Sequence, residues 1–322
     1  MCSTYDKWPQ IARQSYESST MVDAFKDIDH VVFCGMGGSG TICDIFSAIL
    51  SKSNLHTCVV KGYHLPATLD SKTLIVATSV SGNTVETLTV LDTASKLGCK
   101  LVAFSGGGKM KEYCTKYNIF FNEITPFHSP RASLPSFLYS MLQHFGSIFN
   151  IKEGDVEESI KSLEDLQLKI NSNNLDSSNP SLQLAEWLRG IPMIYYPWGL
   201  QAAAIRFKNS LQENAKIHAI AEDVMEASHN GIVSWESPSS IQPIMIQGTD
   251  DYVKTKERWK IFEDFFSQKN IDFYKISSVN GSILTKIMNL IYLLDYASIY
   301  KAFLRKTDPT PTSSIAYIKD RL

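Results

Sequence analysis

The sequence predicts an α/β protein of two domains, each a parallel sheet flanked by helices. Three observations carry this. Short, largely apolar runs such as Val31-Val-Phe-Cys34 and Leu74-Ile-Val-Ala-Thr78 have the continuous hydrophobicity of strands buried on both faces. Between such runs, apolar residues return at helical spacing, and strands alternating with helices imply right-handed parallel crossovers. The alternation then restarts beyond a polar break, so the 322 residues divide as 1–152 and 153–322, lengths expected of two domains.

Taken in order, residues 1–28 are polar and amphipathic, with a helix expected around Ile11–Phe25. The strand Val31–Cys34 runs into Gly35-Met-Gly-Gly-Ser-Gly40, and Ile42, Ile45, Phe46, Ile49 and Leu50 mark the helix after it. Strands are expected at Thr57–Val60, Leu74–Thr78 and Lys100–Phe104. The second of these leads into Ser79-Val-Ser-Gly-Asn-Thr84, followed by a helix through Val85, Leu88, Leu91 and Ala94. Gly106–Gly108 precedes a helix near 109–116. Pro126–Pro135, carrying Arg131, breaks the pattern before helices over 136–149 and Val156–Ile170. Asn171–Ser181 is rich in Asn and Ser and reads as a surface loop. The second half gives strands at Pro192–Tyr196, Ile217–Ala221, Ile241–Gln247 and Phe273–Ile276. Its helices are expected from Gln201 toward Glu213, over Glu222–Ala227 as a helix or turn, over Tyr252–Gln268 and over Ile283–Leu304. The similar order of elements in the two halves marks a pseudo-repeat.

A hydrophobic content of 44%, a charged content of 20% and a net charge of -2 describe an ordinary globular chain. Broad binding to nucleic acid or anionic membrane needs a basic surface and is not expected. The six cysteines, with no CxxC pair, fit free thiols of a reducing cytoplasm better than a disulfide or zinc framework. No signal peptide or membrane span is expected, no cofactor is called for, and no cluster has the spacing of metal ligands.

Strand, glycine loop, helix is a geometry that aims backbone N–H groups at an anion from a helix N-terminus. Gly35–Gly40 lacks GxGxxG spacing and an acidic ribose partner, so a dinucleotide is disfavoured, although a turn alone could use these glycines. Ser79, Ser81 and Thr84 strengthen the anion site: capping the following helix explains one hydroxyl, not three. Without a Walker lysine, a phosphate monoester fits better than a nucleoside triphosphate. Downstream, Glu213 and His229 are candidates for a general base and a proton carrier. Each taken alone is more ordinarily a solvated or structural side chain, as are Arg131 and Lys319.

In combination these segments resemble the bifunctional phosphoglucose/phosphomannose isomerases, built from two sugar-isomerase (SIS) domains. The resemblance rests on Gly35–Gly40, Ser79–Thr84 with Glu86-Thr87, Pro130-Arg131 with Leu134-Pro135, Glu213-Asn-Ala-Lys216, Ser228-His-Asn230, Asp308-Pro309 and Ile318-Lys319, and spans essentially the whole chain. It implies that Gly38, Ser39, Ser79, Ser81 and Thr84 bind a sugar 6-phosphate and that Glu213 is the base. It also implies that Arg131 stands beside the enediol, that His229 and Lys319 act in ring opening, and that Thr312 is the hydroxyl associated with admitting both C2 epimers. A homodimer in which His229 reaches the partner's active site is implied as well. Val80, Gln212 and Gly231 stand where that family usually has an aromatic residue, Asn and Glu, departures that bear on substrate preference more than on catalysis.

The implied activity is metal-independent aldose–ketose isomerisation of glucose 6-phosphate, and of mannose 6-phosphate, with fructose 6-phosphate through a cis-enediol. Two other expectations stand beside it. A sugar-phosphate-binding regulator needs the phosphate loops but not the set Glu213, His229 and Lys319. An amino-sugar phosphate isomerase on the same fold would be told apart by its dependence on ammonia.

Overall fold

The computed structural model of the chain describes residues 1–20 and 25–321. The helix expected at Ile11–Phe25 is seen as α2 (Trp8–Ser18), after a single turn α1 (Cys2–Tyr5); Met21–Ala24 lie outside the described residues. The chain divides into two compact units, one formed by Thr4–Lys161 with Ser282–Leu284, the other by Met1–Ser3, Ser162–Gly281 and Thr285–Leu322.

The N-terminal unit holds β1 (His30–Cys34), α3 (Gly37–Leu50), β2 (His56–Val60), β3 (Thr73–Ser79), α4 (Val85–Ala94), β4 (Lys100–Ser105), α5 (Gly108–Tyr117), β5 (Phe120–Glu123) and α6 (Leu134–His144). Its strands form one parallel sheet in the order β2-β1-β3-β4-β5. β1 and β3 are buried at every residue, as their unbroken apolar runs require. The edge strand β5 was not legible in the sequence: Phe120 and Glu123 are exposed and only the middle pair is partly covered, so no buried run marks it. Below the sheet, Phe33, Phe46, Phe145 and Phe149 pack as stacked and edge-on rings, with centroids 4.7–6.2 Å apart.

α7 (Glu153–Ile170) leads to α8 (Pro180–Trp187), then β6 (Ile191–Tyr196), α9 (Gln201–Ser210), β7 (Ile220–Asp223), α10 (Val224–Ala227), β8 (Ile241–Gln247), α11 (Val253–Gln268), β9 (Tyr274–Ser277), α12 (Ile283–Leu304) and α13 (Ser313–Lys319). The C-terminal sheet is parallel in the order β7-β6-β8-β9, which repeats β2-β1-β3-β4. The pseudo-repeat is therefore one of topology. The loop expected over Asn171–Ser181 ends earlier because Asn179 caps α8, its Oδ1 accepting from the N–H groups of Ser181 and Leu182 at 3.0 and 3.1 Å. β7 starts at Ile220 rather than Ile217, because its ladder to β6 opens with Met193 opposite Ile220.

α12 is apolar on nearly every face: Ile287, Leu290, Ile291, Leu294 and Ala297 are buried as their spacing predicts, and Tyr292, Tyr296 and Tyr300 are buried with them. Within it sits Asp295, fully buried. The Arg206 guanidinium of α9 grips it through Nε at 3.2 Å and Nη2 at 2.7 Å, and Ser210 Oγ donates to Oδ1 at 2.6 Å. One helical turn on, Asn214 Nδ2 donates to Ser298 Oγ at 2.8 Å.

Breaking such a buried pair from one side strands the other charge. Asp295→Ala is expected to cost about 3–5 kcal/mol of stability, while the joint replacement of Arg206 and Asp295 by apolar residues should cost less. Denaturant unfolding of the two variants checks this. In the N-terminal unit, burial among Phe104, Phe120 and Phe145 pushes the pKa of His144 down from 6.5 to about 4, a backbone contact with Thr20 offsetting part of the effect. The unfolded chain then binds more protons between those values. Stability from His144 is complete above pH 6.5 and is lost as pH falls toward 4. His144→Phe should flatten the unfolding midpoint against pH across that window, which a pH series of thermal melts would read.

Candidate active site

In the N-terminal sheet the chain steps from β1 outward to β2 and then back across β1 to β3. β1 and β3 thus flank the point where the winding reverses, the place where open parallel sheets bind ligands at their carboxyl ends. The two loops singled out in the sequence are the ones that leave these strands. In the first, the chain turns so tightly that a Cβ on Gly40 would lie 3.0 Å from the Gly35 carbonyl oxygen, and one on Gly35 would lie 3.1 Å from Ser39 Cβ. Glycines ease that approach, and it sets Ser39 in the first turn of α3, buried, with its Oγ accepting from the Val80 N–H of the second loop at 3.3 Å.

In the second loop Ser79 Oγ and Thr84 Oγ1 lie 2.9 Å apart, and Ser79 Oγ also accepts from Gly82 N–H at 3.1 Å. Ser81 Oγ accepts from Asn83 N–H at 3.3 Å at the exposed lip. Thr84 is the N-cap of α4, yet its side chain makes no capping bond, so the hydroxyls are not consumed in ending the helix. Four hydroxyls on two joined loops, at the starts of two helices, form a cradle suited to a tetrahedral anion.

Arg131 belongs to the same cradle. A Cβ on Gly38 would lie 3.2 Å from the Pro130 carbonyl oxygen and 3.7 Å from Arg131 Cα, so the glycine lets the arginine backbone lie against the first loop. Ser133 folds the segment, accepting from Phe127 N–H at 2.8 Å and donating to the carbonyls of Phe127 and Ser129, while Trp8 Nε1 of α2 holds the Ala132 carbonyl at 3.1 Å. Arg131 itself is buried, at 6% exposure, which is rare for a guanidinium and marks a placed charge.

Glu213 lies in the C-terminal unit, half-buried, on a single π turn (Leu211–Ala215) that continues α9. Lys216 closes this turn in the left-handed region at φ +53°. Its Nζ donates to the Glu213 carbonyl and, at 2.7 Å, to the carbonyl of Pro311. Pro311 precedes Thr312, the N-cap of α13, whose helix ends at Lys319. Glu213 and the root of the segment bearing Thr312 and Lys319 are thereby joined; Lys319 itself is exposed.

His229 follows α10 and is exposed. Its turn is fixed by Ser228 Oγ donating to the Val224 carbonyl at 2.5 Å and Asn230 Nδ2 donating to Glu226 Oε1 at 2.7 Å. Next to it, the Glu222 carboxylate lies close over Gly231, where a Cβ would be 2.5 Å from Oε2 and would require that side chain to shift. Burial, together with Glu226 and Asp223, raises the pKa of Glu222. Sequence reasoning singled out neither Glu222 nor Lys216 for a role. The part-burial of the Glu222 carboxyl in β7 and the positive φ of Lys216 leave no pattern in the sequence.

The structure does not bring Glu213 and His229 together within one chain. α9 returns the chain from the carboxyl edge of β6 to the amino edge of β7, so Glu213 lies at the amino edge and His229 beyond the carboxyl edge. The four residues of β7 alone span about 13 Å at the usual strand rise. Among the described residues no group of three or more His, Cys, Asp or Glu side chains could hold a metal ion, and no helix is long and apolar enough to cross a membrane.

Known proteins resemble this chain in sequence and in fold. Residues 177–322 match the family described as bacterial phospho-glucose isomerase C-terminal SIS domain. A bifunctional phosphoglucose/phosphomannose isomerase of Caldicellulosiruptor bescii is 34% identical over 329 aligned positions, covering 98% of this chain and 96% of that one. A D-glucosamine-6-phosphate 4-epimerase of Sulfolobus acidocaldarius is 30% identical over 76% of this chain and 77% of its own. The fold is also that of tagatose-6-phosphate ketose/aldose isomerase from Escherichia coli, with a TM-score of 0.74 at 13% identity over 96% of this chain and 94% of that one. With its parallel double sheet, hydroxyl loops and near end-to-end likeness to the C. bescii protein, the chain belongs to the bifunctional phosphoglucose/phosphomannose isomerase family.

Proposed function

We propose that the protein interconverts glucose 6-phosphate, and mannose 6-phosphate, with fructose 6-phosphate through a cis-enediol, without a metal, as a cytoplasmic homodimer. The observation that carries this is the cradle of Ser39, Ser79, Ser81 and Thr84, with Arg131 laid against it by Gly38. Division of labour follows the domains: 1–152 grips the phosphate and 153–322 supplies the base and the proton carriers.

The hydroxyls and loop amides hold the 6-phosphate and supply the remote binding energy that positions the reacting carbons. His229 and Lys319 move protons at the ring oxygen and the O1 hydroxyl to open the ring. Glu213 takes the proton from C2 of the aldose and returns it to C1 on the same face of the planar enediol, as a general base and then acid. Arg131 stabilises the negative charge that develops on the enediolate oxygens. Thr312 meets the substituents at C2, and with it both epimers are admitted. The separation of Glu213 and His229 at opposite edges of one sheet supports a dimer in which a second copy supplies His229. A second reading, amino-sugar phosphate chemistry, is favoured by the likeness to the S. acidocaldarius epimerase.

Glu213→Gln should lower kcat by about 10²–10⁴-fold, the usual share of a general base, while fructose 6-phosphate still binds; an unimpaired variant would sink the assignment of the base. Ser79→Ala removes one hydroxyl from a charged phosphate and should raise KM by roughly 10–100-fold with a smaller change in kcat. In a coupled assay of fructose 6-phosphate with excess EDTA, glucose 6-phosphate and mannose 6-phosphate are both expected. Turnover only of an amino sugar phosphate would hand the site to the second reading.

A further inference from the structure

Lys216 is an unusual residue to find where it is. A positive φ of 53° strains any residue that carries a Cβ, and Gly or Asn ordinarily fills such a helix end. The backbone could be satisfied more cheaply by Gly: the Lys216 N–H closes the π turn on the Leu211 carbonyl, a bond that needs no side chain. What a glycine could not supply is the ammonium. It reaches back to the Glu213 carbonyl and across to the Pro311 carbonyl, 95 residues away in sequence, at 2.7 Å. A charged donor makes both bonds stronger than neutral ones would be.

The second of those carbonyls lies at the root of α13. Thr312 starts that helix, its carbonyl accepting from Ile315 and Ala316 N–H at 3.0 and 3.2 Å. α13 buries none of its side chains, and Ile315, Tyr317 and Ile318 are 41%, 59% and 60% exposed. Its side chains therefore do not dock it, and its placement is inherited from residues 308–312. There Asp308 takes the Thr310 N–H at 2.8 Å, which together with the nearby Lys216 charge holds the carboxylate in its ionised form.

On the basis of the function proposed above, we propose that Lys216 is a positioning residue for the reaction. Its ammonium fastens the turn of the base Glu213 to the segment carrying Thr312 and Lys319, so that proton abstraction and ring opening share one geometry. The bonds it makes to Glu213 and Pro311 go to main-chain carbonyls, and the phosphate cradle is built from other segments of the chain.

The test uses the full-length protein with Lys216→Gly, Lys216→Met and Lys216→Arg. Lys216→Gly removes the ammonium while relieving the backbone, so the strain relieved offsets part of the lost bonding and the variant should stay folded, which a thermal melt checks. It should lose about 10–100-fold in kcat, the cost of misplacing reacting groups by a fraction of an ångström to an ångström, with KM for fructose 6-phosphate changed by less than about threefold. Amide exchange over 312–319 should quicken in the same variant. Lys216→Met should behave alike, and Lys216→Arg should recover part of the rate. A Gly variant with native kcat and native exchange over 312–319 overturns the proposal. If the native protein turns over no hexose phosphate, the functional reading fails instead; unchanged exchange in the Gly variant would still overturn the tie, and faster exchange would support it.

Discussion

The C-terminal unit hangs on one buried ion pair, Arg206 with Asp295. Both charges are out of water and hold each other, and Ser210 also donates to Asp295, so the geometry of α9 against α12 is fixed by groups that cannot be left unpaired. Such a pair is weak evidence of net stability but a strong device for register. The register matters because Ser210 ends α9 and the next five residues are the π turn of Glu213. Asn214 repeats the device by bonding Ser298, one turn beyond Asp295 on α12. The proposed base is thus placed by two polar clasps on a helix that is otherwise largely apolar. A single-turn π bulge at the end of α9 turns the backbone out of α-helical phase there, and such bulges are frequent at functional sites.

The N-terminal unit solves its placement problem in the opposite way, by omission of side chains. Gly38 admits Arg131, Gly35 and Gly40 admit each other, and Gly82, at φ +67°, lies against the Gly107 carbonyl, where any Cβ would collide. Ser39 Oγ then reaches the Val80 N–H across the two loops, and Ser79 and Thr84 meet within the second. Hydroxyls can donate to phosphate oxygens while their own lone pairs take loop amides, as Ser39 and Ser79 do, so the cradle stays satisfied with or without an anion.

Much of this was legible because parallel α/β sheets write themselves plainly. The runs at Val31–Cys34 and Leu74–Thr78 are buried on both faces, and the loops that follow such strands at a reversal of winding are where ligands go. Phe120–Glu123 was not legible, since an edge strand with exposed ends carries no buried run. Nor was the separation of Glu213 from His229. In sequence they are near neighbours, yet a crossover helix and a strand place them at opposite edges of a sheet, a fact of topology that spacing alone does not carry. Lys216 matters through a backbone angle, which is not a property of residue type.

The repeat of topology also bears on why the proposed phosphate cradle lies in the N-terminal unit. The C-terminal counterpart of the Ser79–Thr84 loop is the turn after β8, from Gly248 to Asp251. There the Gly248 N–H, the kind of donor that faces an anion in such loops, is taken by Asp251 Oδ2 at 2.9 Å, and the same oxygen takes Trp259 Nε1 at 2.9 Å. The chain has supplied its own carboxylate to the turn. A phosphate arriving there would meet like charge and spent donors, whereas in the N-terminal unit it meets neutral hydroxyls at two helix starts. On the proposed function, one fold, used twice, becomes a binding half and a half left open to other work, whose turns hold Glu213, His229 and the C-terminal segment.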